Sequence, residues 1–385
     1  MTDTPDIHGP EIHGLCPDPF GPVKDAFARN FTDGPEGLDE VGARFTVCRA
    51  GEVVLDLWAG QADSVANQPF GPDTLAPVFS TGKAVMALMI AWAVERGLLD
   101  YEAPVAEVWP EFGQAGKADI TLAQLMSHQA GLAGPSPAID PSLWFEPEKV
   151  LEVLCRQAPL WQPGTASGYH PITVGYLAGE VFRRADGRTM GQALKADFAD
   201  PAGLDLWLGL PEAEHGRVAR MKKPTAAPDL GPIDAIKTAA FLDKGSAPAG
   251  RGSAEWRRME IPSANMHATA EALARMLALA LPEGVAGKSL SPATRTALMQ
   301  QRIAGPDRVL PFDLSWGAGV MRNQGEGAVF GPNADTVGHC GWGGSCAFAD
   351  PTTGLTAAYV MTRQSPHLIG DPRPMRLIEA LYAAL

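Results

Sequence analysis

A serine and a lysine stand three residues apart in the run Ser80-Thr81-Gly82-Lys83. A serine hydroxyl is a weak nucleophile until a nearby base takes its proton. On a helix, side chains at positions i and i+3 share one face, about 5–6 Å apart between Cβ atoms, so Lys83 can reach the Ser80 hydroxyl. Burial beside an apolar helix would favour the neutral amine, which is the form that accepts a proton. The spacing indicates nucleophilic catalysis, and the alternative is that Ser80 only caps the helix while Lys83 is solvated.

A tyrosine in a Pro/Gly-rich loop is the second candidate, in the run Gly168-Tyr169-His170-Pro171. A phenol near two cations can lose its proton and act as a general base. The alternative is that Tyr169 fills a gap in the core. We predict packing and hydrogen-bonding roles for His170 and for His128, which follows Ser127 at a helix end.

The third candidate is a glycine-rich run, Gly338-His339-Cys340-Gly341-Trp342-Gly343-Gly344-Ser345. Glycines at a strand end let the backbone approach a ligand closely. Free N–H groups there could complete an oxyanion hole with the N–H of Ser80. The alternative is a simple β-turn between two strands. The segment 263–267 either borders the same cleft or caps the next helix.

The elements that must position these residues follow from apolar patterning. Two β-rich runs between residues 43 and 60 flank Arg49-Ala50-Gly51, which indicates a hairpin. The stretch from Thr81 to Gly97 is apolar on all sides, as in a buried helix. Further predicted helices and strands are listed here by range: helices near 22–30, 121–127, 173–184, 188–199, 269–280 and 374–385, and strands at 315–321, 328–330, 336–341, 345–350 and 355–362.

The order of these elements predicts an α+β (α/β) fold. An early hairpin and several late strands are most simply joined in one antiparallel sheet flanked by helices. Residues 1–99 and 262–385 would form that domain, and residues 100–261 an inserted, mainly helical domain. The cleft between them is the natural place for a ligand. The irregular stretch 213–261 is expected to shape the pocket.

Composition limits the possible partners and location. The formal net charge of −13 argues against nucleic-acid or anionic-membrane partners, which need basic patches. The short basic cluster Arg220, Lys222 and Lys223 is expected to be a solvated loop. The acidic N-terminus lacks a secretory pattern, and five scattered cysteines suggest reduced thiols, so we predict a cytoplasmic protein. We predict no metal or other cofactor, and the sequence does not indicate an oligomeric state.

These motifs together resemble the serine β-lactamase and penicillin-binding-protein superfamily, and are most similar to the class C β-lactamase-like carboxylesterases (family VIII esterases). The resemblance covers about residues 40–385, with its motifs in the expected order. The segments that carry it are Ser80-x-x-Lys83, Leu99–Val105, Leu125–Leu132, Trp161–Thr165, Tyr169-His170-Pro171 and His339–Gly344.

The resemblance implies a β-lactamase/DD-peptidase-like fold with its active site between the two domains. It also implies that Ser80 is acylated and that Lys83 and Tyr169 share the acid–base work. Trp342 would line the acyl pocket and give the second oxyanion N–H, with His339, Gly341 and Gly343 beside the substrate.

One departure from the family pattern bears on the substrate. His339-Cys340-Gly341 stands where lactamases of the superfamily carry Lys-Thr-Gly, so a fixed positive charge suited to a β-lactam carboxylate is missing. The implied function is therefore a serine carboxylesterase for short, small-molecule esters. The alternatives are a β-lactamase, a D-alanyl peptidase, an acyltransferase or a non-enzymatic binding protein with the same fold.

Overall fold

The computed structural model describes residues 9–385. The predicted absence of a secretory signal rests on residues 1–10, most of which lie outside the described residues. In the described part of the chain, no helix is both long enough and apolar enough to cross a bilayer.

A single antiparallel sheet forms the centre of the molecule, in the order β1-β3-β2-β13-β12-β11-β10-β9-β8. The β2–β3 hairpin turns at Ala50 and Gly51, both with positive φ, as in a type I′ turn. Strand β2 pairs with β13 from the end of the chain, which joins the early hairpin and the late strands in one antiparallel sheet, as predicted. The strands are β1 (His13–Leu15), β2 (Gly42–Arg49), β3 (Glu52–Asp63), β4 (Gln68–Pro69), β5 (Ala76–Pro77), β6 (Leu206–Trp207), β7 (His267–Ala268), β8 (Ile303–Pro306), β9 (Asp313–Trp316), β10 (Met321–Arg322), β11 (Val337–Cys340), β12 (Cys346–Asp350) and β13 (Leu355–Met361).

Helices pack on this sheet and make up much of the middle of the chain. The helices are α1 (Gly21–Thr32), α2 (Gly82–Glu95), α3 (Val105–Val108), α4 (Leu122–Met126), α5 (Pro147–Arg156), α6 (Thr173–Asp186), α7 (Met190–Leu194), α8 (Asp200–Ala202), α9 (Ala235–Lys237), α10 (Ala254–Arg258), α11 (Ala270–Leu277), α12 (Pro292–Met299) and α13 (Pro372–Ala383). The π-helical turn 195–199 joins α7 to α8, so the helix predicted over 188–199 continues with altered winding.

Helix α2 runs through the core, which explains its apolar sequence. It contacts α6, α11, α12 and β11, and eleven of its fourteen residues are buried. Burying a side chain such as Leu88 or Ile90 stabilises the fold by about 1.5–3 kcal/mol. Because α2 is packed on several sides, the residues at its N-terminus are held rigidly.

Two sequence predictions about strands differ from the structure. The predicted strand 315–321 is two short strands, β9 and β10, because Gly317 and Gly319 turn the chain and Gly317 N–H bonds back to Val320 O at 2.9 Å. The predicted strand 328–330 is wrong. There the Phe330 N–H donates to the Asn323 side-chain oxygen at 2.9 Å, so a side chain replaces the expected strand partner.

A small second sheet connects distant parts of the chain near the start of α2. Strand β7 lies between β5 and β6, and Val78 N–H donates to Met266 O at 3.0 Å. This pairing brings the 263–267 segment against the turn that carries Ser80. That segment therefore borders the cavity beside Ser80, while Thr269 caps α11.

Candidate active site

Ser80 lies in a 3₁₀ turn, Phe79–Thr81, directly before α2. Phe79 has a φ of +49°, a strained conformation for a residue with a side chain. The turn is tied to the glycine-rich loop, because Ser345 Oγ donates to Val78 O at 3.0 Å and lies 2.9 Å from Thr81 Oγ1. Two distant segments thus fix a half-buried hydroxyl that faces a cavity.

The Lys83 amine lies 2.9 Å from Ser80 Oγ and is completely buried. It also donates to Pro171 O at 2.8 Å and to Ser263 O at 2.9 Å. Burial lowers the pKa of Lys83 well below its usual value. A neutral amine has two N–H bonds, which match the two carbonyls, and one lone pair, which is free to accept the Ser80 proton.

The Tyr169 ring lies beside the same amine, with Lys83 Nζ 4.7 Å from the ring centroid. Burial raises the pKa of Tyr169, and a hydrogen bond with the Ser80 side chain opposes that rise in part. The phenol therefore keeps its proton at neutral pH. This argues against a tyrosinate base and favours a phenol that donates and recovers a proton, because burial also lowers the pKa of Lys83, the nearest cation that could stabilise a tyrosinate.

A buried carboxylate, Asp307, positions Tyr169, although no sequence pattern indicated this role. Asp307 Oδ1 accepts the Tyr169 N–H at 2.8 Å and the N–H groups of Val309 and Leu310 at 3.0 Å each. The Asp307 side chain bends the 307–310 loop around the backbone of Tyr169. Burial raises the pKa of Asp307, while these N–H groups lower it.

His339 lies in a ring cluster with Tyr169 and Trp316, at centroid distances of 5.9 and 5.8 Å. Its Nδ1 is 2.7 Å from Cys340 O, and its buried Nε2 has no partner among residues 9–385. Burial, with a smaller contribution from the nearby Lys83, lowers the pKa of His339 to about 3, so the imidazole is neutral at pH 7. The position that carries a lysine in lactamases therefore has no charge here.

The other two histidines near the site have packing roles, as predicted. His170 Nε2 accepts the Leu132 N–H at 2.9 Å, and its Nδ1 lies 2.6 Å from Gly168 O. The His128 ring packs edge-on against Trp316, with centroids 4.6 Å apart. Both rings support the loop that carries Tyr169.

The glycine-rich loop leaves the backbone N–H of Trp342 without a hydrogen-bond partner among residues 9–385. Gly341 N–H donates to Ser345 O at 2.7 Å, and Gly343 O accepts the Ser365 N–H at 3.0 Å. Within residues 9–385, no hydrogen bond uses the N–H of Trp342 or of Ser80. These are the two groups expected in an oxyanion hole, whereas Gly341 and Gly343 shape the loop that presents them.

A cavity of about 380 Å³ opens beside Ser80. Its walls are mostly apolar. They come from the Phe79–Thr81 turn, the Tyr169 loop, the glycine-rich loop and the 213–261 stretch. Lining residues include Phe79, Ile172, Leu230, Phe241, Trp256 and Trp342. The 213–261 stretch therefore shapes the pocket, as expected. Across residues 9–385, no group of three His, Cys, Asp or Glu side chains is arranged to hold a metal ion.

Known proteins with similar sequences and folds are esterases and penicillin-binding-protein homologues. A family model described as beta-lactamase matches residues 27–382. Esterase/beta-lactamase LipL of Mycobacterium tuberculosis is 35% identical over 389 residues, spanning 96% of this chain and 87% of LipL. A penicillin-binding-protein homologue from Caulobacter crescentus is 54% identical with a TM-score of 0.94, covering 97% of this chain and 100% of that one. The structure of a family VIII carboxylesterase is 37% identical in sequence with a TM-score of 0.89, and the match covers 97% of this chain and 100% of that one.

Proposed function

Since the chain belongs to the beta-lactamase family, we propose that it is a carboxylesterase that hydrolyses short esters through an acyl-enzyme on Ser80. The resemblance to this superfamily and its family VIII esterases is confirmed, as is the α+β fold. The observation that carries the proposal is the buried, neutral Lys83 amine 2.9 Å from the Ser80 hydroxyl, beside an apolar cavity.

In the acylation step, the Lys83 amine takes the hydroxyl proton while Ser80 Oγ bonds to the ester carbonyl carbon. The carbonyl oxygen becomes an oxyanion and accepts hydrogen bonds from the N–H groups of Ser80 and Trp342. When the tetrahedral species collapses, the alkoxide takes the phenolic proton of Tyr169. The Lys83 ammonium then gives a proton to the Tyr169 phenolate, so both groups regain their starting states.

In the deacylation step, water replaces the alcohol and the same groups act again. Lys83 takes a proton from water as its oxygen attacks the acyl carbon. The C–O bond to Ser80 breaks, Ser80 Oγ recovers the proton, and the carboxylic acid leaves. Each turnover consumes one water and returns Ser80, Lys83 and Tyr169 to their starting protonation.

The uncharged wall of the cavity at His339 favours an ester over a β-lactam. A β-lactam carboxylate bound beside His339 would meet an imidazole whose pKa is about 3. Burying that carboxylate without a cation would cost more than burying an uncharged ester chain.

Two assays test the proposal. Wild-type protein should hydrolyse p-nitrophenyl acetate and butyrate, and Ser80→Ala should lower kcat by at least about 10³-fold. A serine-directed phosphonate should add to the peptide that contains Ser80, as read by mass spectrometry. Ser246→Ala is a matched control because it removes a hydroxyl from the same cavity, and labelling should persist. Ester turnover that survives Ser80→Ala would refute the proposal.

A β-lactamase, peptidase or acyltransferase of the same superfamily is the alternative, since LipL carries both esterase and lactamase in its name. Strong nitrocefin cleavage with weak ester cleavage would favour this alternative. An absence of any covalent adduct would instead favour a binding protein.

Two further statements belong to the proposal. We propose that residues 1–99 with 262–385 and residues 100–261 form the two domains, supported by cavity walls from both parts, such as Trp342 and Leu230. We also propose a cytoplasmic location and a small-molecule substrate with no nucleic-acid or membrane partner, supported by the net charge of −13. Cell fractionation tests the location.

A further inference from the structure

A groove of about 1,050 Å³ continues outward from the catalytic cavity. The two spaces share part of their walls, so a molecule bound at Ser80 can extend into the groove. The shared residues are Phe79, Ala227, Pro228, Pro248, Arg251, Trp256 and Trp342. A substrate long enough to pass these shared residues would place the end farthest from its reacting carbonyl in the groove.

Positive charge dominates this groove, although the protein as a whole is acidic. Its charged lining residues are Arg220, Lys223, Arg251, Arg257 and Asp63. Burial lowers the pKa of His267, another lining residue, to about 3, so it adds no charge at pH 7. Asp63 is the one carboxylate in the lining, and it approaches only Arg220, at 3.9 Å.

Two of these arginines are left without ionic partners by the fold. Within the described residues, Arg251 has no hydrogen bond or ion pair, and its guanidinium carbon lies 5.8 Å from the ring centroid of Phe79, the neighbour of Ser80. Arg257 donates only to His215 O, at 3.3 Å, and its buried Nε has no partner among residues 9–385.

Several other arginines of the chain, unlike Arg251 and Arg257, are paired with carboxylates. Arg44, Arg188 and Arg217 each contact two carboxylates. A guanidinium offers a planar fork of donors that matches a carboxylate, so an unpaired one beside a ligand cavity is suited to an anion from outside.

We propose that the groove binds a carboxylate at the far end of the substrate, so that the enzyme prefers half-esters of dicarboxylic acids. Arg251, at the junction of the two spaces, makes the main contact, and Arg257 and Lys223 add positive charge. The apolar cavity takes the ester and the carbon chain. This inference rests on the proposed esterase function and names its substrate class.

The first test compares two esters of equal shape and different charge. Monoethyl adipate carries a carboxylate where ethyl adipamate carries an amide. The ratio of their kcat/KM values should exceed about 5 in the wild type, because a charged hydrogen bond to arginine is stronger than a neutral one. Arg251→Gln should bring the ratio close to 1, and Arg251→Lys should keep part of it. Arg258→Gln is the matched control, because Arg258 follows the groove residue Arg257 on helix α10 but does not line the groove itself, and it should leave the ratio unchanged.

Added salt should reduce the ratio, since the groove is open to solvent. A wild-type ratio at or below 1, or a ratio that Arg251→Gln does not change, would overturn the inference. Hydrolysis of both esters at equal rates would overturn the inference about the groove but would leave the esterase proposal intact.

A second test does not require turnover. Monoethyl adipate and ethyl adipamate are titrated into Ser80→Ala, with tryptophan fluorescence as the readout, because Trp256 and Trp342 line both spaces. The half-ester should bind at least about 5-fold more tightly, and the added Arg251→Gln change should abolish that preference. Equal affinities would refute the groove assignment even if the protein proved to have another activity.

Discussion

Replacing Lys83 with methionine tests the central physical claim about the site. The Lys83 amine is completely buried, and the oxygens around it belong to the Ser80 hydroxyl and to two backbone carbonyls, all uncharged. Because no carboxylate contacts the amine, burial alone lowers its pKa well below 10.5. We expect Lys83→Met to remove the base and also to change how the stability of the fold depends on pH.

The size of the stability effect follows from proton linkage. In the unfolded chain Lys83 titrates near its ordinary pKa, whereas in the native protein it is already neutral at a lower pH. Between those two pKa values the unfolded state binds one proton more, so this group raises the free energy of unfolding by about 1.4 kcal/mol per pH unit. Lys83→Met lacks this contribution. The difference in free energy of unfolding, wild type minus variant, should therefore rise with that slope as the pH increases from the lowered native pKa toward the ordinary lysine pKa of about 10.4.

Urea unfolding at several pH values measures this slope, and p-nitrophenyl butyrate hydrolysis measures the base function. Loss of the base should lower kcat by about 10²–10⁴-fold. Lys117→Met is the matched control. Lys117 is also buried, and its amine donates to Cys155 O at 2.8 Å and Gln157 O at 2.5 Å, but it makes no contact with Ser80. That variant should lose stability and keep kcat within about twofold of the wild type, since unpaired carbonyls cost stability only.

Two results would refute this reasoning. Parallel stability curves for wild type and Lys83→Met would mean that the amine is charged in the native protein. A kcat within tenfold of the wild type would remove Lys83 from the chemistry.

Two further substitutions address the phenol and the loop. Tyr169→Phe should lower kcat by about 10²-fold with little change in Tm, because the ring still packs while the proton donor is lost. Tyr176→Phe removes a buried hydroxyl that donates to a backbone carbonyl, so it should lower Tm and leave kcat unchanged. A loss of kcat in Tyr176→Phe but not in Tyr169→Phe would contradict the role of Tyr169 as proton donor. Gly341→Ala should lower both kcat and Tm, because its Cβ would lie 2.4 Å from Val78 O and force the loop away from the nucleophile turn. Gly216→Ala, whose Cβ meets nothing within 4 Å, should change neither, and equal behaviour of the two alanine variants would show that the close approach is unimportant.

Much of the fold was predictable because its main elements are periodic and local. The β2–β3 hairpin and the fully apolar α2 can be identified from sequence, since turn residues and apolar runs act over a few positions. The order of elements predicted that the early hairpin and the late strands share one sheet, and the structure shows that β2 and β13 make the connection. The strand predicted at 328–330 was wrong because the Asn323 side chain, rather than a neighbouring strand, satisfies the backbone there.

The candidate site was only partly predictable, and the reason is chemical. Ser80 and Lys83 are close in sequence, so helix geometry alone places them together. The carbonyls of Pro171 and Ser263, which hold the amine, belong to the backbone and carry no signature of residue type. Asp307 acts through three backbone N–H groups, which only the folded loop brings together.

A buried ion network outside the cavity wall supports the loop that carries the Trp342 N–H. Arg373 of α13 donates to Gly343 O at 3.1 Å and is ion-paired with Asp371 and Glu40, at 2.7 and 2.5 Å. Removing one partner of a buried ion pair typically costs about 3–5 kcal/mol, so this network is a stiff support. The glycines permit the close approach of the loop, whereas the arginine fixes its position. Helix α13 contributes no side chain to the cavity wall, yet its arginine determines where the loop presents a donor to the developing oxyanion.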